Sequence, residues 1–297
     1  MQNNPLVSVI CLSYNHASFV VEALESVLIQ SYPNIELIIA DDCSSDGSKK
    51  VIENWLIKHP NILFIPNEIN QGNTKTFNNA AKHAKGDYFI DLAADDILLP
   101  NCVELQMEAF QNSNFKNLGI VYANIDLIDE KDNFMSIYYD ESENPESGNV
   151  YEMVISRSTK ICSVASMVKR NVFETIGYYD TTLAYEDLDL WVRASRVFDF
   201  EYIPKVLAQK RELSTSLSAH FAKKNNKRTK DLHLSTLKIF EKIIWLNKTK
   251  KEHEAVLGRM KFEMYKLIYS RSFVSLLKLL LLAVKAKKKS IFSKVNI

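Results

Sequence analysis

The sequence predicts an α/β protein whose doubly wound, mostly parallel sheet is followed by a helical extension. Two observations predict the sheet: short apolar runs alternate with amphipathic helical segments over residues 6–92, and acidic pairs follow two of those runs. The extension is predicted from about residue 229, where the apolar spacing becomes helical throughout, as in Leu237, Phe240 and Ile244.

The first part of the sheet is built from four apolar runs. Leu6–Leu12 is rich in β-branched residues, which is typical of a buried strand. Phe19–Gln30 follows with apolar residues at helical spacing. Ile35–Ala40 is the second strand, and residues 45–48 offer turn and N-cap side chains for a helix through Leu56. The series continues with a strand at Ile62–Ile65, a helix at Thr74–Ala84 and a strand at Tyr88–Leu92.

A domain of residues 1–222 is expected, with a nucleotide-binding-like half (1–110) and a second half (111–222). The second half is predicted to contain strands at 118–128 and 161–169, a polar loop at 129–150, and helices at 170–177 and Leu188–Val197. Residues 1–222 carry 17 Lys and Arg against 31 Asp and Glu, whereas residues 223–297 carry 20 against 5. This asymmetry indicates that the basic helical region 223–297 meets different surroundings.

Several classes of protein are not indicated by the sequence. The four cysteines are scattered without zinc-ligand or redox spacing, so reduced thiols in a cytoplasmic protein are expected. The N-terminus lacks the pattern of a signal peptide, and the longest apolar stretch, Leu279–Val284, is too short to span a bilayer. Neither a P-loop nor a G-x-G-x-x-G motif follows the first strand, so phosphate binding would have to fall to a metal ion.

Three acidic pairs are the strongest functional signal: Asp41-Asp42, Asp95-Asp96 and Glu186-Asp187. Carboxylates crowded at strand ends need a cation or hydrogen-bond donors, although solvated turns are the plain alternative. Asp95-Asp96 is predicted to hold Mg²⁺ or Mn²⁺ together with a diphosphate.

Two further candidates could contact a nucleotide base, and one could act as a general base toward an attacking hydroxyl. Tyr14 can stack on a base, or pack as a loop aromatic, and Asp42 can accept a hydrogen bond from a base N–H. Asp187 is the best candidate for a general base; it could also cap a helix, and the two roles can coexist.

An ordered series of motifs resembles one known family. Four segments resemble the family 2 glycosyltransferases over roughly residues 5–215. They are VSVICLSYNHASFVVEALESVLIQSYPNIELIIADDCSSDGS, the NQG of Asn70–Gly72, KGDYFIDLAADDILLP and FETIGYYDTTLAYEDLDLWVRAS. The resemblance implies the GT-A fold, a Rossmann-like doubly wound sheet. It also implies inverting transfer of a sugar from a nucleotide-sugar donor, with UDP as the expected nucleotide.

The resemblance also implies roles for individual residues. Asp96 is expected on the metal and Asp187 as the catalytic base, with Glu186 orienting its loop or the acceptor. The nucleotide is expected to contact the following residues: Ser13, Tyr14, Asn15, Asp42, Asn70, Gly72 and Asp95.

This chain departs from the family at three points. Phe77-Asn78 stands where many members carry Arg-Asn, and Lys210-Arg211-Glu212-Leu213 lacks the histidine that often follows the late arginine. The Q-x-x-R-W motif of processive members is missing, which favours transfer of one sugar per acceptor. The resemblance implies a glycan or lipid-linked acceptor, with an acceptor protein as the open alternative. The alternatives are a nucleotide-sugar-binding protein without turnover and a sugar nucleotidyltransferase, although the G-x-G-T-R-L segment of the latter class is missing.

The basic tail, residues 271–297, predicts a helix at a membrane surface. Its apolar residues Phe273, Leu276, Leu277, Leu280 and Val284 can share one face, with lysines beside them. A peripheral location on the inner face of the cell membrane is therefore expected. Packing on the domain or in a homodimer is the alternative, and nucleic acid is not an expected partner because residues 1–222 are acidic.

Overall fold

Strands and helices alternate along the first hundred residues, as the sequence predicts. The computed structural model describes residues 4–140, 142–143, 145–156, 161–214, 216, 220–221, 223–224 and 226–292. The strands are β1 (Val7–Ser13), β2 (Ile35–Asp41), β3 (Leu63–Pro66), β4 (Tyr88–Ala93), β5 (Ile97–Leu98), β6 (Leu118–Ile128), β7 (Phe134–Ile137), β8 (Ser166–Lys169) and β9 (Asp199–Arg211). The helices are α1 (Val20–Leu28), α2 (Ser48–Leu56), α3 (Asn73–Ala81), α4 (Cys102–Asn112), α5 (Tyr151–Ser156), α6 (Arg170–Ile176), α7 (Asp187–Ala194), α8 (Lys227–Leu246), α9 (Lys250–Tyr269) and α10 (Phe273–Phe292).

The chain forms two units. The first comprises residues 1–148, 161–179 and 198–212, and the second comprises 149–160, 180–197 and 213–297. Three segments that the sequence assigns to the half at 111–222, residues 149–160, 180–197 and 213–222, therefore group with the C-terminal helices.

The first unit contains one sheet in the strand order β3-β2-β1-β4-β8-β6-β9-β5. β1 pairs in parallel with β2 and β4, and β2 pairs in parallel with β3. Parallel strands covered on both faces need nearly continuous apolar residues, and β1 is buried at every position except Leu12. Antiparallel pairs join β8 to β4 and to β6, so the sheet is parallel in its first half and mixed in its second.

Strand β9 was not predicted from the sequence. It pairs in parallel with β6, through three register shifts, and antiparallel with β5. Its sequence DFEYIPKVLAQKR contains charged residues and a proline, so it lacks both an apolar run and a clean alternation. Pairing with the buried β6, rather than local propensity, accounts for this strand.

Several predicted boundaries were wrong. The polar loop at 129–150 contains β7, and Asn124 fastens the chain after it by donating to Tyr139 O and accepting from Tyr139 N, both at 2.9 Å. The strand predicted at 161–169 is confined to Ser166–Lys169. α7 begins at Asp187 and ends at Ala194, which places the second residue of the third acidic pair inside the helix.

The second unit is helical. Arg196 stacks on the Tyr151 ring at 3.6 Å and pairs with Glu252 at 2.8 Å, and Glu252 also completes a capping box with Thr249 at the start of α9. α8 buries an apolar stripe that includes Leu232, Phe240 and Ile243. Among the described residues, no helix has the length and apolar content needed to cross a membrane. The last five residues of the predicted membrane-binding tail, 293–297, lie outside the described range.

Candidate functional site

The pair Asp41-Asp42 lies where β2 ends. Asp41 is fully buried, and its carboxylate accepts hydrogen bonds from Ser44 N at 2.9 Å and Ser44 Oγ at 2.6 Å. Asp42 accepts from Asn67 Nδ2 at 2.9 Å, from Gln71 N at 2.7 Å and from Gly72 N at 2.8 Å. A carboxylate offers about four lone-pair positions, and these three donors, all from described residues, use three of those of Asp42.

Gly72 allows the chain to reach Asp42. Its φ is +85°, a region that residues with a side chain rarely adopt. A Cβ built at this position meets no atom within 4 Å, so the requirement for glycine is conformational rather than steric. The predicted nucleotide-binding residue Asn70 belongs to the same loop and is exposed.

The loop after β1 is joined to the loop after β2. Asn15 Oδ1 accepts from Ser45 N at 2.8 Å, and the backbone N–H of Asn15 donates to Ser44 Oγ at 2.9 Å. Asn15 therefore holds the two loops together. Tyr14 is 40% exposed beside it, whereas the hydroxyl of Ser13 is buried and has no hydrogen-bond partner among the described residues.

The pair Asp95-Asp96 follows β4 and is buried. Asp96 Oδ1 accepts from Arg211 N at 2.9 Å, and His16 Nε2 lies 3.7 Å from Asp95 Oδ2. Burial, followed by the charge of Asp95, raises the pKa of Asp96 well above its usual value. The surroundings therefore favour the protonated form of Asp96 more than water does.

Arg211, at the end of β9, organises this region and was missed as a site residue. Its side chain is 1% exposed and donates from Nε to Asp95 O at 3.1 Å. It forms ion pairs with Glu22, at 2.8 Å, and with Asp132, and its guanidinium lies over the Phe19 ring at 4.6 Å. These partners are distant in sequence, so the only local signal was a charged residue within an irregular stretch.

Lys210 brings a second positive charge close to the acidic pair. Burial alone lowers its pKa, but the hydrogen bond to Glu212 and the charges of Glu212 and Asp96 outweigh burial and raise it. The chain therefore places cations next to Asp96 at the point where the resemblance leads us to expect a histidine.

The described residues do not contain a group of three or more His, Cys, Asp and Glu side chains able to hold a metal ion by themselves. Two adjacent buried carboxylates still fit a cation that takes one or two protein ligands and completes its shell with substrate oxygens. In that arrangement Asp96 would be the protein ligand, with Asp95 beside it.

Phe77 explains one departure from the family pattern. It is fully buried, and its ring lies 4.5 Å from that of Tyr179. The next residue, Asn78, donates to Tyr179 O at 2.8 Å, and the Tyr179 hydroxyl donates to Asp91 at 2.9 Å. The position at which the resemblance leads us to expect arginine is thus a packing position in this chain.

The pair Glu186-Asp187 belongs to the second unit. Glu186 is the N-cap residue of α7, but its side chain makes no capping hydrogen bond. Asp187 is the first residue of the helix, so it is not the N-cap, and its Oδ1 accepts from Leu188 N at 2.6 Å.

An ion network holds the start of α7. Asp189 is fully buried and accepts from Arg193 Nε at 2.8 Å and from Lys242 Nζ at 2.6 Å. Lys242 also bonds to Asp180 at 2.7 Å. Burial raises the pKa of Asp180, but hydrogen bonds from Lys242 and Thr182 lower it to about 2 overall.

Known structures resemble this chain in fold. S. aureus TarS, residues 1–349, in complex with UDP-GlcNAc is 15% identical, with a TM-score of 0.64, covering 90% of this chain and 74% of that one. A mannosyltransferase from Pyrobaculum calidifontis in complex with GDP-Man and Mn²⁺ is 16% identical, with a TM-score of 0.61, covering 99% and 89%. The predicted GT-A fold, with helices at the C-terminus, is thereby confirmed.

Sequence comparison identifies the family. An uncharacterized glycosyltransferase of Rickettsia typhi is 32% identical over 212 residues, which are 70% of this chain and 64% of the relative's length. Chondroitin synthase of Escherichia coli is 29% identical over 68% of this chain and 28% of its own length. The pattern of Glycosyl transferase family 2 matches residues 8–177. With more than half of its length matched, this chain belongs to glycosyl transferase family 2.

Proposed function

We propose that this protein transfers one sugar from a UDP-sugar to a hydroxyl of a glycan or lipid-linked acceptor, with inversion at the anomeric carbon. The observation that carries the proposal is the buried Asp95-Asp96 pair at the end of β4, where the pKa of Asp96 is raised. Such a pair favours a divalent cation, and the cation would neutralise the diphosphate that leaves.

The donor nucleotide is proposed to bind at the ends of β1 and β2. Tyr14 offers an exposed ring for stacking, and Asp42 would accept a hydrogen bond from a base N–H. Ser13, Asn15, Asn70 and Gly72 are also proposed to contact the nucleotide, and Asn15 fixes the first loop through its hydrogen bonds to the second. One solved relative holds UDP-GlcNAc and another holds GDP-Man with Mn²⁺, so both bases occur within this fold.

The chemistry on the acceptor side is proposed to rest on Asp187. Its carboxylate would take the proton of the acceptor hydroxyl while that oxygen forms a bond to the anomeric carbon. The bond from the same carbon to the diphosphate oxygen breaks, and the electron pair leaves with the diphosphate. Glu186 would orient the acceptor, and Asp189 with Lys242 would keep the start of α7 in place.

The proposed setting is cell-surface glycan synthesis at the cytoplasmic face of the membrane. The matched part of the chain spans 64% of the length of its Rickettsia typhi relative. The activity, acceptor and setting are therefore proposed for this chain and are not taken from that relative. The competing function, nucleotide-sugar binding without turnover, predicts donor binding but no release of nucleoside diphosphate.

Two activity measurements test the proposal. UDP-sugars and GDP-mannose are supplied with Mn²⁺, and nucleoside diphosphate release is followed with glycan or lipid-linked acceptors. Asp187→Asn should lower kcat by about 10²–10⁴-fold, since that is the usual contribution of a general base. UDP affinity should change by no more than a few-fold.

Glu186→Gln is the matched control and should lower kcat less than Asp187→Asn does. Near-wild-type kcat in Asp187→Asn with a verified acceptor would show that the base is elsewhere. Equal affinity for UDP and GDP in the wild type would reject the assignment of uracil.

A further inference from the structure

Helix α10 has two apolar faces. One face is buried within the second unit and includes Leu279, Leu282 and Ala286. Over its first three turns, the opposite face consists of apolar side chains that are between 43% and 64% exposed: Phe273, Leu277, Leu280, Leu281 and Val284. At 3.6 residues per turn these five positions form one stripe, named here the outer stripe, and the exposed Lys287 and Lys288 follow it on the same side of the helix.

The outer stripe is unusual for a surface helix. A helix packed on one side normally presents polar residues on the other side, and single exposed apolar residues are ordinary. An apolar stripe of this length indicates instead a surface that is covered by apolar groups of another molecule or of a lipid bilayer. The neighbouring α9 adds exposed aromatic side chains, among them Phe262, Tyr265 and Tyr269.

Charge indicates which partner covers the stripe. α10 carries five lysines and no acidic residue, and four of the lysines are exposed: Lys278, Lys285, Lys287 and Lys288. Two copies of the chain meeting across these faces would bring like charges together, which opposes association. An anionic lipid surface instead accepts the apolar residues and attracts each nearby cation by about 1 kcal/mol.

We infer that α10 lies flat in the interface of an anionic bilayer, with the outer stripe among the acyl chains and the lysines at the headgroups. The stripe consists of residues whose burial the fold does not require, so they remain available to lipid. The proposed function enters this inference at one point, since lipid binding would bring the enzyme close to a lipid-linked acceptor. Lipid binding itself needs no turnover.

Vesicle flotation of the full chain tests the inference. The wild type should float with phosphatidylcholine vesicles that contain phosphatidylglycerol, and it should bind vesicles of phosphatidylcholine alone more weakly. Leu277→Gln/Leu281→Gln should reduce binding to anionic vesicles by about tenfold or more, because both residues belong to the stripe. Lys285→Gln/Lys287→Gln/Lys288→Gln should remove the preference for anionic lipid and its sensitivity to salt.

A matched control replaces two equally exposed apolar residues in the first unit. Ile29→Gln/Ile57→Gln should float like the wild type, since Ile29 and Ile57 are 59% and 78% exposed but lie outside the stripe. Equal binding of the stripe variant and the wild type would overturn the inference. So would concentration-dependent dimerisation, without flotation, that the stripe variant abolishes, because a second copy would then cover the stripe.

Calorimetry with UDP separates this inference from the catalytic proposal. All three variants should bind UDP as the wild type does. If none of the proteins binds UDP while flotation gives the expected results, the donor assignment fails and the lipid-binding surface on α10 is still supported.

Discussion

The two aspartate pairs at the ends of β2 and β4 differ in how the protein compensates their negative charge. Asp42 receives three hydrogen bonds, two of them from backbone N–H groups, and it fixes the loop that contains Gly72. Asp96 is as deeply buried, but among the described residues it accepts a single hydrogen bond, from the backbone N–H of Arg211, and it stands beside Asp95. The carboxylate of Asp42 is satisfied by hydrogen bonds from the protein, whereas the pKa of Asp96 stays raised even with the charges of Lys210 and Arg211 nearby. We therefore expect the first pair to shape the pocket and the second to bind the cation.

The strongest test of this difference is Asp96→Asn. It should abolish cation-dependent donor binding and lower kcat by about 10²–10³-fold, because the charge on the diphosphate is no longer neutralised. The same change should raise the melting temperature of the cation-free protein, since it removes a buried charge while keeping an oxygen for Arg211 N. Calorimetric titration with Mn²⁺ and a thermal scan measure the two effects.

Asp87→Asn is the control for that experiment. Asp87 is exposed, and its substitution should leave both cation binding and melting temperature unchanged. If Asp96→Asn lowers the melting temperature and keeps activity in the presence of EDTA, Asp96 serves the fold rather than a cation.

The raised pKa of Asp96 predicts a distinctive pH dependence. A cation binds the ionised carboxylate, so its affinity should fall by up to about tenfold per pH unit below that pKa. For the cation-free protein the sign is the reverse of the usual carboxylate case. The folded state holds the proton more tightly than the unfolded state does, so stability should decrease as pH rises from the ordinary value of 3.8 to the raised one.

Mn²⁺ titrations and urea unfolding at several pH values measure this dependence. Asp96→Asn should lack both trends. A cation affinity that stays constant across the acidic range would contradict the raised pKa.

Asp42→Ala tests the other side of the comparison and should have a smaller effect. It removes the acceptor for Gln71 N and Gly72 N, so the loop should loosen and UDP affinity should fall by about tenfold. Unlike Asp96→Asn, it should lower the melting temperature. Unchanged UDP affinity, measured by calorimetry, would show that Asp42 does not contact or position the base.

Arg211→Lys should have the smallest effect on cation binding. The hydrogen bond to Asp96 comes from the backbone, so Mn²⁺ affinity should change only a few-fold. Stability should fall by about 1–3 kcal/mol, because Lys cannot reproduce the contacts that guanidinium makes with Asp95 O and Asp129 O. Urea unfolding measures this loss, and Glu22→Gln, which removes one exposed partner of Arg211, should cost less. A large loss of Mn²⁺ affinity in Arg211→Lys would assign that role to the side chain.

The sequence predicts most of the first half of the sheet because that half is encoded locally. β1, β2 and β4 are apolar runs, and their ends are marked by polar residues such as Tyr14, Asp42 and Asp95. The candidate site residues in this half could be named for the same reason. The hydrogen bonds that these residues accept, three at Asp42 and one described at Asp96, could not be predicted, because the donors come from distant loops and from β9.

The later part of the chain is encoded by contacts distant in sequence. β9 contains Pro204 and several charged residues, and it forms a strand through pairing with the buried β6. Residues 180–197 fall within the domain predicted at 1–222 but group with the C-terminal helices, because Asp189 and Asp180 are held by Lys242 of α8. Periodicity carries no information about such partners.

The position of Arg211 has a consequence for modularity. Residues 1–110 contain the strands that place Tyr14, Asp42 and Asp96, which suggests a nucleotide-binding half that could be exchanged between proteins. Yet Asp96 receives its backbone donor from the last residue of β9, about a hundred positions further along the chain. Cutting the chain after residue 110 would leave that carboxylate buried without its N–H donor or the nearby cations. Recombination within the family should therefore succeed only when the first half and β9 are inherited together.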